Sequence, residues 1–220
     1  MGRLVLIDGV AGLIAAGLLL GVWYVWFAHY NRRRGILTLK RIQAACVGKG
    51  SVFEPRWRTS SLLQASLHLP SRWFEDAKLT VRLVPRPIPF RWLLSHWRHQ
   101  KETVTFEADL DHHPDFQLVV LHHRWAGSSN GSSAKSRTWD VTRPAPVVLT
   151  TRQEWSQELS PLVGALMSTR EKNFLSVRFR PNSPHFSATV ELDILSDQKT
   201  ATSLISTLRE LASGASARQH

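Results

Sequence analysis

The chain of 220 residues contains a single cysteine, which limits its possible covalent structure. One thiol cannot form an internal disulfide, and this agrees with a reducing compartment. Cys46 lies in the apolar stretch IQAACVG. We therefore interpret it as a small buried hydrophobic residue rather than a reactive thiolate.

Common catalytic and nucleotide-binding motifs are also missing from the sequence. It has no GxSxG nucleophile elbow, no P-loop, no GxGxxG before a helix and no HExxH zinc signature. No internal repeat recurs at a fixed period. We therefore expect no cofactor, and a binding role is favoured over a catalytic one.

Charge is missing from the run Gly9–Ala28, and Leu4–Ile7 extends its apolar character beyond Asp8. A helix needs roughly 20 apolar residues to cross the hydrocarbon core of a bilayer. The run has no polar stripe, is longer than a signal-peptide core, and has no small-x-small cleavage site before the arginines that follow. The sequence predicts an uncleaved transmembrane helix in residues 1–31, spanning about 5–28.

Aromatic and basic residues follow the apolar run. Indole and phenol rings favour the membrane–water interface, and positive residues that flank a span stay cytoplasmic. We therefore expect the amino terminus outside and the remaining chain in the cytoplasm, at an inner membrane of bacterial type. The predicted membrane-interface residues in this segment are Trp23, Tyr24, Trp26, Arg32, Arg33, Arg34, Lys40 and Arg41.

Small residues within the predicted span recur at intervals of four. Gly17 and Gly21 show this spacing, as do Gly12 and Ala16. Such spacing lets two helices approach closely. Homodimerisation through the span is therefore one expected interaction.

The formal net charge of +11 is unevenly distributed. Residues 1–101 contain 16 Lys and Arg against 4 Asp and Glu, whereas residues 102–220 contain 12 against 13. A basic half beside the membrane predicts contact with anionic lipid headgroups, although a solvated basic face without a ligand remains an alternative. We do not expect nucleic-acid binding, because predicted outward strand positions such as Glu107 and Glu191 are acidic and Trp57 is the nearest approach to a stacking platform on a basic strand.

The segment 87–101 has the spacing of a short amphipathic helix. Apolar side chains would share one face, with Arg91 and Arg98 pointing elsewhere and Trp92 on the opposite side. Two interpretations stay open: the helix lies among the headgroups with Trp97 inserted, or it covers the core of its own domain. The residues of the apolar face are Phe90, Leu93, Leu94 and Trp97.

Alternating apolar and polar residues predict half-buried strands after a short helix at 36–47. The alternation covers 63–69, 77–83, 104–110 and 186–194; 116–125 is a more continuous apolar run, and a hairpin through PNSP joins 174–180 to 186–194. Helices are predicted after Thr151, with an interruption at Pro161, and at 199–213. The expected fold class is α+β, with a mostly antiparallel sheet and helices packed on one face.

The predicted domain organisation has four parts. Residues 1–31 form the transmembrane helix, 32–101 a basic juxtamembrane segment and amino-terminal lobe, 102–213 a carboxyl-terminal lobe, and 214–220 a disordered tail. The Gly- and Ser-rich stretch 127–137 has the composition of a mobile loop.

Acidic and histidine residues gather around 109–123. If the strands on either side of this segment formed a hairpin, their side chains could converge as ligands for zinc, iron or manganese. The candidate ligands are Asp109, Asp111, His112, His113 and His122. The leading hypothesis is a membrane-anchored, non-catalytic binding or scaffold module with an unknown protein partner; the alternative is a membrane-tethered metal-dependent enzyme.

Overall fold

The computed structural model describes residues 2–46, 51–68, 74–111, 114, 116–122, 139–142, 147–152 and 174–216. Its helices are α1 (Gly2–Ala45), α2 (Pro89–Trp97), a 3-10 helix (Leu192–Ser196) and α3 (Gln198–Ser216). Its strands are β1 (Ser51–Thr59), β2 (Leu62–His68), β3 (Phe74–Arg82), β4 (Thr103–Leu110), β5 (Leu118–His122), β6 (Trp139–Thr142), β7 (Val147–Arg152), β8 (Phe174–Phe179) and β9 (Phe186–Glu191).

Helix α1 is a continuous rod of 44 residues, about 66 Å long at 1.5 Å per residue. We predicted a span followed by a separate helix at 36–47, and this division is wrong. No proline interrupts the helix. Gly35 does not end it, because the Trp57 side chain packs against the space that a Cβ would occupy. Among the described residues, α1 is the one helix long and apolar enough to cross a membrane, with a mean hydropathy of 2.0 over an 18-residue stretch.

The two halves of α1 differ in burial. From Gly9 to Val22 every side chain is exposed. From Asn31 onward, buried positions recur at helical spacing, as expected for a helix that lies against a core. These buried positions are Asn31, Gly35, Thr38, Leu39, Ile42, Ala45 and Cys46.

The described strands form one antiparallel sheet in the order β1-β2-β3-β4-β9-β8-β5-β7-β6. This sheet, the helices against it and the long apolar helix before it confirm the predicted α+β class. Strands from both sides of the predicted boundary at residue 101 pair directly, since β4 lies between β3 and β9. The division into lobes stays a prediction.

The hairpin on which the metal-site alternative depended, between the strands now named β4 and β5, is not formed. Strands β9 and β8 lie between them, so three strand spacings, about 14 Å, separate β4 from β5. The predicted β8–β9 hairpin is present, with Phe179 paired to Phe186. The second strand ends at Glu191, where the 3-10 helix begins.

Other elements were not predicted from the sequence or have different bounds from those predicted. Strand β1 was not predicted, and its pairing with β2 is interrupted by a register shift next to Pro55. The last helix extends beyond Gly214 to Ser216. Thr151 belongs to β7 rather than to a helix start. The predicted loop at 127–137 and the helices after 152 lie outside the described residues.

The core forms between one face of the sheet and a layer made by the second half of α1, the 3-10 helix and α3. Alternate strand residues point into it, including Leu79, Phe106 and Val190. Ile42 of α1 and Leu208 of α3 approach the same apolar space from the helical side. The second half of α1 is therefore part of the domain, and the first half extends from it.

Candidate membrane interface

The junction between α1 and the sheet is built around a fully buried Asn31. Its amide nitrogen donates to the backbone carbonyls of Ser60 (3.2 Å) and Val84 (3.1 Å). Its side-chain oxygen accepts a hydrogen bond of 3.2 Å from Arg86. These partners lie at the β1–β2 turn and just after β3, so one amide joins α1 to two loops at the same end of the sheet.

Glu102 lies at the same end, immediately before β4, and its side chain is 6% exposed. Arg86 Nη1 contacts Glu102 Oε1 at 2.5 Å, and Arg34 Nε contacts Oε2 at 2.9 Å. The backbone N–H of Val84 also donates to Oε1 (3.2 Å). A buried carboxylate is stabilised when cationic and hydrogen-bond partners replace water in this way.

Arg34 extends this network to the start of the 3-10 helix through a 2.7 Å ion pair with Asp193. Burial on its own would lower the pKa of Arg34. The Tyr30 hydroxyl and the charges of Glu102 and Asp193 outweigh that effect, so the pKa of Arg34 is raised. The side chain predicted to face headgroups is thus engaged with the domain, and its membrane role stays a prediction.

Gly35 lets α1 approach β1 and β2 closely. A Cβ at this position would lie 2.8 Å from Cη2 of Trp57 and 3.1 Å from Cδ2 of Leu63. The half-buried Trp57 packs against the hydrophobic core. Its ring therefore contributes to the helix–sheet contact, although the sequence offered it as the nearest approach to a nucleic-acid stacking platform.

Helix α2 lies between β3 and β4 and begins with Pro89, which suits a first helical turn because that position needs no backbone N–H donor. Phe90, Leu93 and Trp97 are 76%, 61% and 81% exposed, whereas Ser95 on another side is buried. The interpretation in which the apolar face covers the domain's own core requires all four residues of that face to be packed. Leu94 is half-buried, but the other three are open to the surroundings.

Trp92, which the amphipathic pattern left unexplained, contacts α1. Its ring centroid lies 5.8 Å from that of Trp23, and the Trp23 indole N–H donates to the Arg86 carbonyl at 3.1 Å. Trp23 also contacts Phe27, with ring centroids 4.5 Å apart. The predicted belt residue Trp23 therefore holds α2 beside the final part of the uncharged run.

The remaining predicted interface residues lie on the surface of α1 or α2. Among the described residues, none of them pairs with Asn31, Arg86 or Glu102, and their contact with headgroups stays a prediction. The exposed residues are Tyr24, Trp26, Arg32, Arg33, Lys40, Arg41, Arg91, Trp97 and Arg98.

The predicted Asp/His cluster is divided by the fold. Asp109 accepts hydrogen bonds from the Ser183 hydroxyl (2.9 Å) and the His185 backbone N–H (3.2 Å), at the end of the sheet opposite Asn31. His122 ends β5 at the other end of the sheet, because Leu118 pairs with Phe179 and the strand runs away from it. His112 and His113 lie outside the described residues, and Asp111 is exposed. The described parts of the chain contain no group of three potential metal ligands.

Sequence reasoning missed Asn31, Arg86 and Glu102, which form the center of the junction. Asn31 carried a usable signal, because it begins the helical spacing continued by Gly35 and Leu39. Glu102 carried none, since its partners become neighbours only when β3, β4 and α1 meet. Cys46 is completely buried as predicted, and burial raises the pKa of its thiol.

No protein-family model matches the chain, and no curated protein is significantly similar to it.

Proposed function

We propose that this protein is a single-pass membrane protein whose sheet domain is a non-catalytic binding or scaffold module held against the cytoplasmic surface of an inner membrane. The long apolar helix supports the anchor. The excess of basic residues after the apolar run supports a cytoplasmic domain. The network of Asn31, Arg34, Arg86 and Glu102 supports a scaffold, since it joins the anchor directly to the domain.

The observation that carries the proposal is the continuity of α1 from the uncharged run into the core. The same helix presents apolar side chains on all sides between Gly9 and Val22, then buries Leu39 and Ile42 in the domain. Without a bilayer, the first half would expose a long apolar surface to water, which is strongly unfavourable. A membrane solvates that surface while the second half keeps the domain beside it.

The test uses the full chain expressed in bacterial cells, with Cys46→Ala and a single new cysteine at the exposed Asn182. We expect the protein to remain in the membrane pellet after alkaline carbonate extraction. A membrane-impermeant maleimide should label the new cysteine in inverted inner-membrane vesicles but not in intact cells with a permeabilised outer membrane.

Release by alkaline carbonate would contradict the membrane span. Labelling in the intact cells would contradict the proposed sidedness while leaving the anchor in place. A matched chain without a cysteine, carrying Cys46→Ala alone, measures background labelling in each preparation.

A further inference from the structure

Helix α2 presents a contiguous apolar face on a side that the described domain leaves open. Phe90, Leu93 and Trp97 recur at the spacing of one helix face, and each is more than half exposed. Trp92 and Ser95 occupy the side that meets the rest of the protein. The exposed face is thus a fixed feature of the surface rather than a part of the core.

The position of α2 beside α1 favours lipid as the occupant of this face. Trp23, which holds α2 through Trp92 and the Arg86 carbonyl, lies five residues before Ala28, the last residue of the uncharged run. Five helical residues correspond to about 7.5 Å along α1. Helix α2 therefore lies alongside the last turns of the apolar segment, at the level where a spanning helix meets the headgroups.

The charges around α2 complement an anionic lipid surface. Arg91 on α2 and Arg98 directly after it are exposed, and Arg32 and Arg33 are exposed on the next turns of α1. An apolar helix face with basic flanks is typical of helices that lie in the plane of a membrane interface.

We propose that α2 inserts Phe90, Leu93 and Trp97 into the leaflet from which α1 emerges, while its flanking arginines contact anionic phospholipid headgroups. The domain is then attached to the bilayer at two points, which fixes its tilt as well as its distance from the surface. This inference rests on the proposed function, because it requires α1 to span the membrane.

The experiment measures the depth of α2 in the full chain. Cys46→Ala removes the native thiol, and Leu93→Cys places a single site on the exposed face. The site carries an environment-sensitive fluorophore, and the protein is reconstituted into vesicles of phosphatidylcholine and phosphatidylglycerol. Asn182→Cys, an exposed position at the sheet end opposite Asn31, is the matched control.

We expect a nitroxide on the lipid chains to quench the Leu93→Cys probe several-fold more strongly than the Asn182→Cys probe. Aqueous iodide should show the reverse order. In vesicles of phosphatidylcholine alone, the lipid-chain quenching at Leu93→Cys should decrease, because the arginines lose their anionic partners.

Strong iodide quenching at Leu93→Cys, equal to that of the control, would overturn the inference. So would protection from both quenchers, which would mean that another protein surface covers α2. Equal lipid quenching with and without phosphatidylglycerol would overturn the anionic requirement. Alkaline extraction of the same vesicles separates these outcomes from failure of the span, because a chain without a span is released.

Circular dichroism of both labelled chains checks that the substitutions preserve the fold. Phe90→Cys supplies a second site on the same face, and it must give the same order of quenching as Leu93→Cys.

Discussion

The first and second halves of α1 both carry exposed leucines, but the two halves have different surroundings. Leu18 and Leu37 belong to the same helix and are 68% and 52% exposed, yet Leu37 is followed by Leu39 and Ile42, which are buried against the sheet. The buried stripe in the second half shows that the protein provides its own apolar partner there. The exposed first half has no such partner among the described residues, and the comparison separates the apolar segment from the domain more clearly than hydropathy does.

The largest effect should come from Glu102→Ala, which would weaken the attachment of the second half of α1 to the sheet and so reduce the difference between the halves. The substitution leaves Arg34 and Arg86 without their buried carboxylate. We expect a loss of about 3–5 kcal/mol in unfolding free energy, typical of a buried ion pair that loses one partner. Chemical denaturation of the full chain in detergent, followed by tryptophan fluorescence, measures it.

Asp193→Ala is the matched control for Glu102→Ala, because it removes another partner of Arg34. The Asp193 side chain is 74% exposed, and exposed ion pairs contribute about 1 kcal/mol or less. Equal destabilisation by the two substitutions would contradict the central role of Glu102.

Arginine substitutions at the two exposed leucines sharpen the comparison. Leu18→Arg should make membrane insertion less favourable by about 2.5–3.5 kcal/mol, the cost of an arginine near the centre of a spanning helix. Leu37→Arg should have little effect, since this position lies beyond the arginines. A graded insertion assay with glycosylation sites on either side of α1 measures the inserted fraction. Equal tolerance of both substitutions would place the first half of α1 in water.

A glycine-to-alanine pair tests the same comparison with a smaller change. At Gly35 the added methyl group would meet the Trp57 ring at 2.8 Å, and overpacking of this kind costs about 1–3 kcal/mol. At Gly21 a Cβ meets no described atom within 4 Å. Thermal unfolding of each full-length variant should therefore show a lower midpoint for Gly35→Ala alone. Unchanged stability of Gly35→Ala would mean that the Trp57 ring moves aside at no cost.

The sequence predicted those features that depend on neighbours along the chain. Strands β2, β3 and β4 follow from alternation, and the β8–β9 hairpin follows from two alternating runs with a proline-rich turn between them. The position of the apolar helix follows from a run without charge. In each case the pattern lies within about twenty consecutive residues. Helical and strand periodicity can be recognised over a range of that length.

Features that depend on distant neighbours were predicted poorly. The proposed β4–β5 hairpin assumed that strands adjacent in sequence are adjacent in the sheet, whereas β9 and β8 come between them. Strand β1 was missed because Pro55 and the charged residues around it obscure alternation. For the candidate interface, the amphipathic face of α2 was predicted, but its contact with Trp23 was not, because Trp23 and Trp92 are far apart in the chain.

The unbroken course of α1 has a mechanical consequence. A domain on a flexible tether can tumble and sample many headings relative to its anchor. Here the apolar segment and the first element of the core are one helix, so a quarter turn of that helix about its axis would rotate the entire sheet by the same angle. Any torque applied to α1 at one end is delivered to the sheet at the other.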